Sequence, residues 1–131
     1  MSKPALAIVV DGPPVSHPRP RVVRTSSGKS HTYMPSEYTS YKELVAWYVR
    51  SALGFLECDG STRWSLIINF HLGGKRKRND IEKLAGTIMD ALQMGGLYKN
   101  DEQGDHILVN KWRGAKKPRV QIQAWVVEDM S

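Results

Sequence analysis

The chain has 131 residues, 40% hydrophobic and 24% charged, which suits one folded domain and excludes wholesale disorder. No uncharged apolar stretch approaches the roughly 20 residues that cross a bilayer, and the start lacks the h-region and cleavage site of a secretory signal. The single cysteine, Cys58, excludes an intrachain disulfide or a cysteine zinc cluster. The expectation is a soluble, cytoplasmic protein. Nineteen Lys and Arg against 13 Asp and Glu give a net charge of +6, which points to a polyanionic partner.

In chain order, Ala5–Val10 is a β-branched apolar run stopped by Asp11-Gly12-Pro13-Pro14, a buried strand and its turn. Val15–Pro35 contains Pro18, Pro20 and Pro35 with Ser26-Ser27-Gly28, so it reads as loop or a ragged edge hairpin. Arg19, Arg21 and Arg24 make that segment a candidate DNA contact. Ser36 is the expected N-cap of a helix carrying Tyr41, Leu44, Val45, Tyr48 and Leu53 at helical spacing, with Gly54 at its end. Trp64–Leu72 alternates as a strand with Trp64, Leu66, Ile68 and Phe70 on its buried face. Gly73-Gly74 breaks it, and the basic run Lys75-Arg76-Lys77-Arg78 follows.

A second helix is expected to start near Asn79 or Asp80, with Ile81, Leu84, Ala85, Ile88, Met89 and Leu92 as its core stripe and Gly95-Gly96 as its stop. His106–Trp112 and Val120–Val127 read as two strands forming a C-terminal hairpin, with Lys116 and Lys117 at a basic tip. The order β, loop, α, β, α, β, β predicts one α+β domain over residues 1–131, a mixed sheet packed by two main helices.

The segment from Lys75 to Asp105 carries the candidate chemistry. Asp80 and Glu82 stand at a helix start, and Asp101 follows the helix. If Asp101 travels back along residues 97–100, three hard oxygen ligands converge, a set that suits Mg²⁺ or Mn²⁺. Such a cation supports phosphodiester hydrolysis, with neighbouring basic residues on the phosphates. Asn79-x-x-Glu82 is equally a capping box, and the two roles can coexist. The four histidines lack ligand spacing and read as surface or sheet residues. The four tryptophans read as core anchors. There is no phosphate-cradling glycine loop and no Gly-x-Ser-x-Gly.

Asp80-Ile81-Glu82-Lys83-Leu84, Asp90-Ala91-Leu92 and Asn100-Asp101-Glu102-Gln103 together resemble the RusA family of Holliday-junction resolvases. Gly12-Pro13-Pro14, Pro18-Arg19-Pro20-Arg21 and Tyr33-Met34-Pro35 extend the resemblance from about Ala5 to Val127. The resemblance implies a homodimeric, Mg²⁺-dependent endonuclease that resolves four-way DNA junctions in recombination and repair, with Asp80, Glu82 and Asp101 as metal ligands. Nucleases for forks or flaps, and a non-catalytic junction-binding protein, are the alternatives. Two departures stand out. Glu82 takes the place of the family's second aspartate, and the family's helical lysine falls on Gly86, one turn beyond Lys83. Lys83 is therefore the expected substitute catalytic cation.

Overall fold

The computed structural model describes residues 3–18, 21–24, 28, 30–56, 58–74 and 80–127. Six strands and two α-helices follow in the order β1 (Leu6–Asp11), β2 (Arg21–Arg24), β3 (Ser30–Tyr33), α1 (Ser36–Leu53), β4 (Trp64–Leu72), α2 (Ile81–Met94), β5 (Gly104–Arg113) and β6 (Arg119–Val126). A four-stranded sheet has the order β1-β6-β4-β5, and β2 with β3 forms a separate antiparallel hairpin. β4 pairs parallel with β5 and antiparallel with β6, so the architecture is α+β with a mixed sheet.

The expected hairpin between the last two strands does not form, because β4 lies between them. Two forces place it there. The crossover through α2 returns the chain in the direction that pairs β5 parallel with β4. The five-residue connection from Gly114 to Pro118 then has ample reach to cross one intervening strand, since neighbouring strands lie only about 4.8 Å apart. β4 is the most apolar strand and takes the centre, where both its edges are paired.

One face of the sheet is the core. Leu6 and Val10 on β1, Val120, Ile122 and Ala124 on β6, and Trp64, Leu66, Ile68, Phe70 and Leu72 on β4 are all buried. The helices cover this face. α1 buries Tyr38, Tyr41, Val45, Ala46, Val49 and Leu53 and lies over β1. α2 buries Leu84, Thr87, Ile88, Ala91 and Leu92 and lies toward β5. Leu44, expected in the core, is exposed on the outer side of α1.

The α1 cap differs from the sequence expectation by one residue, and the α2 cap falls on Asp80, within the expected start near Asn79 or Asp80. Pro35, not Ser36, occupies the N-cap of α1, with no side-chain cap hydrogen bond. Asp80 caps α2 through Glu82 N–H at 2.9 Å. Gly54 ends α1 at φ 59°, a left-handed conformation that favours glycine. Of the four tryptophans only Trp64 is a core anchor. Trp47 and Trp112 are 58% and 54% exposed, so amphipathic periodicity alone misplaced them.

The opposite face of the sheet carries no helix among the described residues. Its outward side chains are Ser65, Ile67, Asn69 and His71 on β4, and Leu108, Asn110 and Trp112 on β5, facing them in register. Gln121 and Gln123 on β6 continue it. Asn69 Oδ1 accepts from both Asn110 Nδ2 (2.9 Å) and Trp112 Nε1 (3.2 Å), and His71 Nε2 bonds Gln121 Oε1 at 2.8 Å.

Candidate catalytic and nucleic-acid site

The N-terminal end of α2 opens onto a cleft of about 690 Å³. Asp80 and Lys83 form its helical wall, and the segment from Ser16 to Pro18 forms another. Lys111 and Arg113 complete it from β5. They arrive there by strand alternation, since Lys111 stands opposite Phe70 and Arg113 opposite Leu72, on the helix-covered side of the sheet. Beyond the reach of the apolar core, that same side becomes cationic. Lys83, Lys111 and Arg113 thus line the same cleft as Asp80, and the positive end of α2 adds to the field an anion meets.

The proline-rich segment is fastened to α2 at three points. His17 N–H donates to Lys83 O at 2.9 Å. The His17 side chain lies beside Gly86, where an added Cβ would sit 3.7 Å from His17 Cβ. Its Nε2 lies 3.4 Å from Asp90 Oδ2, which also accepts from Tyr38 O–H at 2.8 Å. Burial, reinforced by that Asp90 contact, raises the Tyr38 phenol well above its ordinary range and keeps it a donor.

Asp101 stands elsewhere. After α2 the chain doubles back through Leu97 N–H to Leu92 O (3.0 Å), and Tyr98 O–H donates to Met89 O at 2.6 Å. Asp101 then opens a 3-10 turn, Asp101–Gln103, capped by Asn100. Gln103 is buried and anchors this turn to residues 59 and 62. Arg63 holds Asp105 (2.8 Å) and Glu102 (2.8 Å) beside it, which keeps Asp105 below the usual carboxylate range.

The three expected ligands are therefore not gathered in one chain. Asp80 sits at one end of a 14-residue helix, about 20 Å long, and Asp101 follows the other end. The return path is pinned at Leu92 and Met89, too far along to bring Asp101 back to Asp80. Among the described residues no three His, Cys, Asp or Glu side chains converge as a metal site. Asp80 and Glu82 alone offer the one or two carboxylates that Mg²⁺ commonly takes beside substrate phosphates. Asp80 alone of the three lines the cleft; Glu82 stands two residues on in the first turn of α2, and Asp101 does not join them.

Other expected contacts distribute as follows. Arg19, Lys75, Arg76, Lys77, Arg78 and Asn79 lie outside the described residues. Arg21 and Arg24 bound β2. Lys116 and Lys117 are exposed in the β5–β6 connection. Lys83 lines the cleft. Lys111 and Arg113 were legible only as members of a basic block, and His17 carried no signal in its sequence surroundings.

A search of curated proteins found no match. A family model, Endodeoxyribonuclease RusA, matches residues 11–124, from the end of β1 to within β6. The match spans both walls of the cleft, the helix between them and the turn bearing Asp101. The chain belongs to the RusA endodeoxyribonuclease family.

Proposed function

We propose that this protein is a Mg²⁺-dependent, structure-selective endonuclease that resolves four-way DNA junctions as a homodimer in cytoplasmic recombination and repair. The observation that carries the reading is the cleft at the start of α2, which three cations share with Asp80 in a chain matched along most of its length by an endodeoxyribonuclease family. Phosphates are the anions such a cleft fits, and Lys83, Lys111 and Arg113 bind and orient them. Asp80 and Glu82 would hold the cation, which supplies Lewis-acid polarisation of the phosphate when bound. Lys83 places an ammonium beside the negative charge that grows in the transition state. Asp101 enters the proposal through the family resemblance alone and is tested separately.

The outer sheet face, with one Asp11–Arg119 row at its edge and neutral rows elsewhere, is the surface we assign to the second copy. Between Ser65 and Asn69, His106 and Asn110, and Gln121 and Trp125, no outward residue carries a formal charge, and the next row places the opposite charges of Arg119 and Asp11 side by side beyond His71. In a chain of net charge +6 this is the face on which two copies meet with least repulsion. Leu108 and Trp112 are more than half exposed on it. Four strands about 4.8 Å apart and some eight residues long span roughly 500 Å², so pairing buries at least about 1,000 Å², the size of a small specific interface. A two-fold dimer gives two identical sites, as paired nicks require.

The test is incubation of labelled four-way junction, fork, flap and linear duplex DNA with purified protein in Mg²⁺, Mn²⁺ or EDTA. Paired nicks in the junction, absent with EDTA, are expected. Asp80→Asn should bind the junction and lose cleavage by at least 100-fold. No nicking of any branched DNA, or equal cutting of linear duplex, refutes the reading. Wild-type cleavage by Asp101→Asn removes Asp101 from the site.

A further inference from the structure

We propose that His17 is a DNA-phosphate ligand of the cleft and that Asp90 is a positioning residue acting through it. The inference rests on the reading of the cleft as a DNA site, and adds two residues to it. His17 is placed by contacts of three different kinds. Its backbone N–H is bonded to Lys83 O, its ring rests on Gly86, and its Nε2 faces Asp90. Lys83, Gly86 and Asp90 fall at i, i+3 and i+7 on one face of α2, so a single helix surface fixes both the main chain and the imidazole. At Gly86 an added Cβ would make only ordinary van der Waals contact with His17, so the helix surface there receives the imidazole without strain.

The orientation selects the free edge. The ring's Cγ and Cδ2 are among the atoms nearest an added Gly86 Cβ, each at 4.0 Å, and Nε2 is 3.4 Å from Asp90. Nδ1 is therefore on the edge turned away from α2, and the ring lines the cleft that also holds Lys83, Lys111 and Arg113. Tyr38 meets the imidazole edge-on at 5.0 Å between ring centroids and holds Asp90 through its hydroxyl. With Nε2–H directed at Asp90, a phosphate oxygen on the other side is met by Nδ1–H of the ring. Asp90 touches no DNA in this arrangement. It sets the direction of the ring.

The experiment is salt-dependent binding of the four-way junction in EDTA, so that cleavage does not intrude. Wild type is compared with His17→Gln, His17→Asn, Asp90→Asn and the His17→Gln/Asp90→Asn double variant. Loss of one phosphate contact should lower the log–log salt slope by about 0.9, or about 3- to 4-fold less affinity lost between 50 and 200 mM salt. His17→Gln should show that loss. His17→Asn, whose amide nitrogen reaches the Nδ1 position, should restore part of it. Asp90→Asn should weaken binding in the wild type and add little to His17→Gln. Nitrogen NMR of the His17 ring should show both ring nitrogens protonated once junction is added.

An unchanged slope in His17→Gln with unchanged ring resonances overturns the phosphate role. Equal effects of Asp90→Asn in both backgrounds reduce Asp90 to a structural partner of Tyr38 and overturn its positioning role. A wild type that binds junctions but cuts none sinks the endonuclease reading while these outcomes still decide His17. A wild type that binds no DNA sinks both.

Discussion

Gln103 is the residue whose replacement the structure prices most directly. Its side chain is 2% exposed and uses all four of its hydrogen-bonding positions. Oε1 accepts from Lys99 N–H (3.0 Å) and Asn100 N–H (3.2 Å), while Nε2 donates to Asp59 O (3.0 Å) and Thr62 O (2.7 Å). Gln103→Leu keeps the approximate volume and strands two donors and two acceptors. At about 1 kcal/mol net per hydrogen bond the four bonds amount to about 4 kcal/mol, and with water reaching the exposed neighbours Asp59 and Asn100 a loss of about 2–4 is expected. With an unfolding entropy of about 2.1 cal/mol/K per residue, a domain of this size loses about 3.5 °C per kcal/mol. Thermal unfolding followed by circular dichroism should therefore fall by about 7–14 °C. Gln103→Glu should be worse at pH 7 than at pH 4, because a carboxylate facing two carbonyls must gain a proton before it can donate to either. A loss under about 1 kcal/mol in Gln103→Leu would show that water replaces the side chain. The anchoring of the Asp101 turn by Gln103 would then be refuted.

Three other outcomes are expected. Gly95→Ala would place a Cβ 2.7 Å from Val49 Cβ and 2.8 Å from Ala46 O, where α1 meets α2, so a loss of about 1–3 kcal/mol is expected in urea unfolding; an unchanged midpoint would mean that the helices part at no cost. Leu108→Glu on the outer sheet face should convert a dimer to monomer in sedimentation with the melting temperature of the monomer intact, and a monomeric wild type removes the proposed interface. Asp59 is held below the ordinary carboxylate range by hydrogen bonds from Ser61 and Thr62, and Asp105 by its bonds from Arg63. Depressed folded pKa values mean stability that is complete above the unfolded value of about 3.9 and is lost as pH falls through the folded ones. Arg63→Ala should flatten that acid loss between pH 4 and 2, and an identical acid limb contradicts it.

Much of the local structure was readable because it is written in short-range pattern. The alternation from Trp64 to Leu72 and the apolar stripe from Leu84 to Leu92 impose strand and helix wherever those faces are buried. The family motifs likewise lie in contiguous runs, and the match over residues 11–124 agrees with them. The position of Lys83 beside Asp80 follows from the same local geometry.

What the chain alone determined is thus the kind and order of its elements, its cationic character and its family, because each depends on residues within a turn or a strand of one another. Tertiary structure decided everything that depends on which surfaces meet. β4 inserted between β5 and β6, and that register carried Lys111 and Arg113 to the cleft and left Trp112 on the opposite, open face. The fixed return after α2 held Asp101 away from Asp80, although the two belong to one motif series in the sequence. His17 came to rest beside Gly86 across some 70 residues of intervening chain, held there by its backbone bond to Lys83 and by Asp90. No periodicity encodes such a meeting, because its energy belongs to the pair of surfaces and to neither stretch of sequence alone.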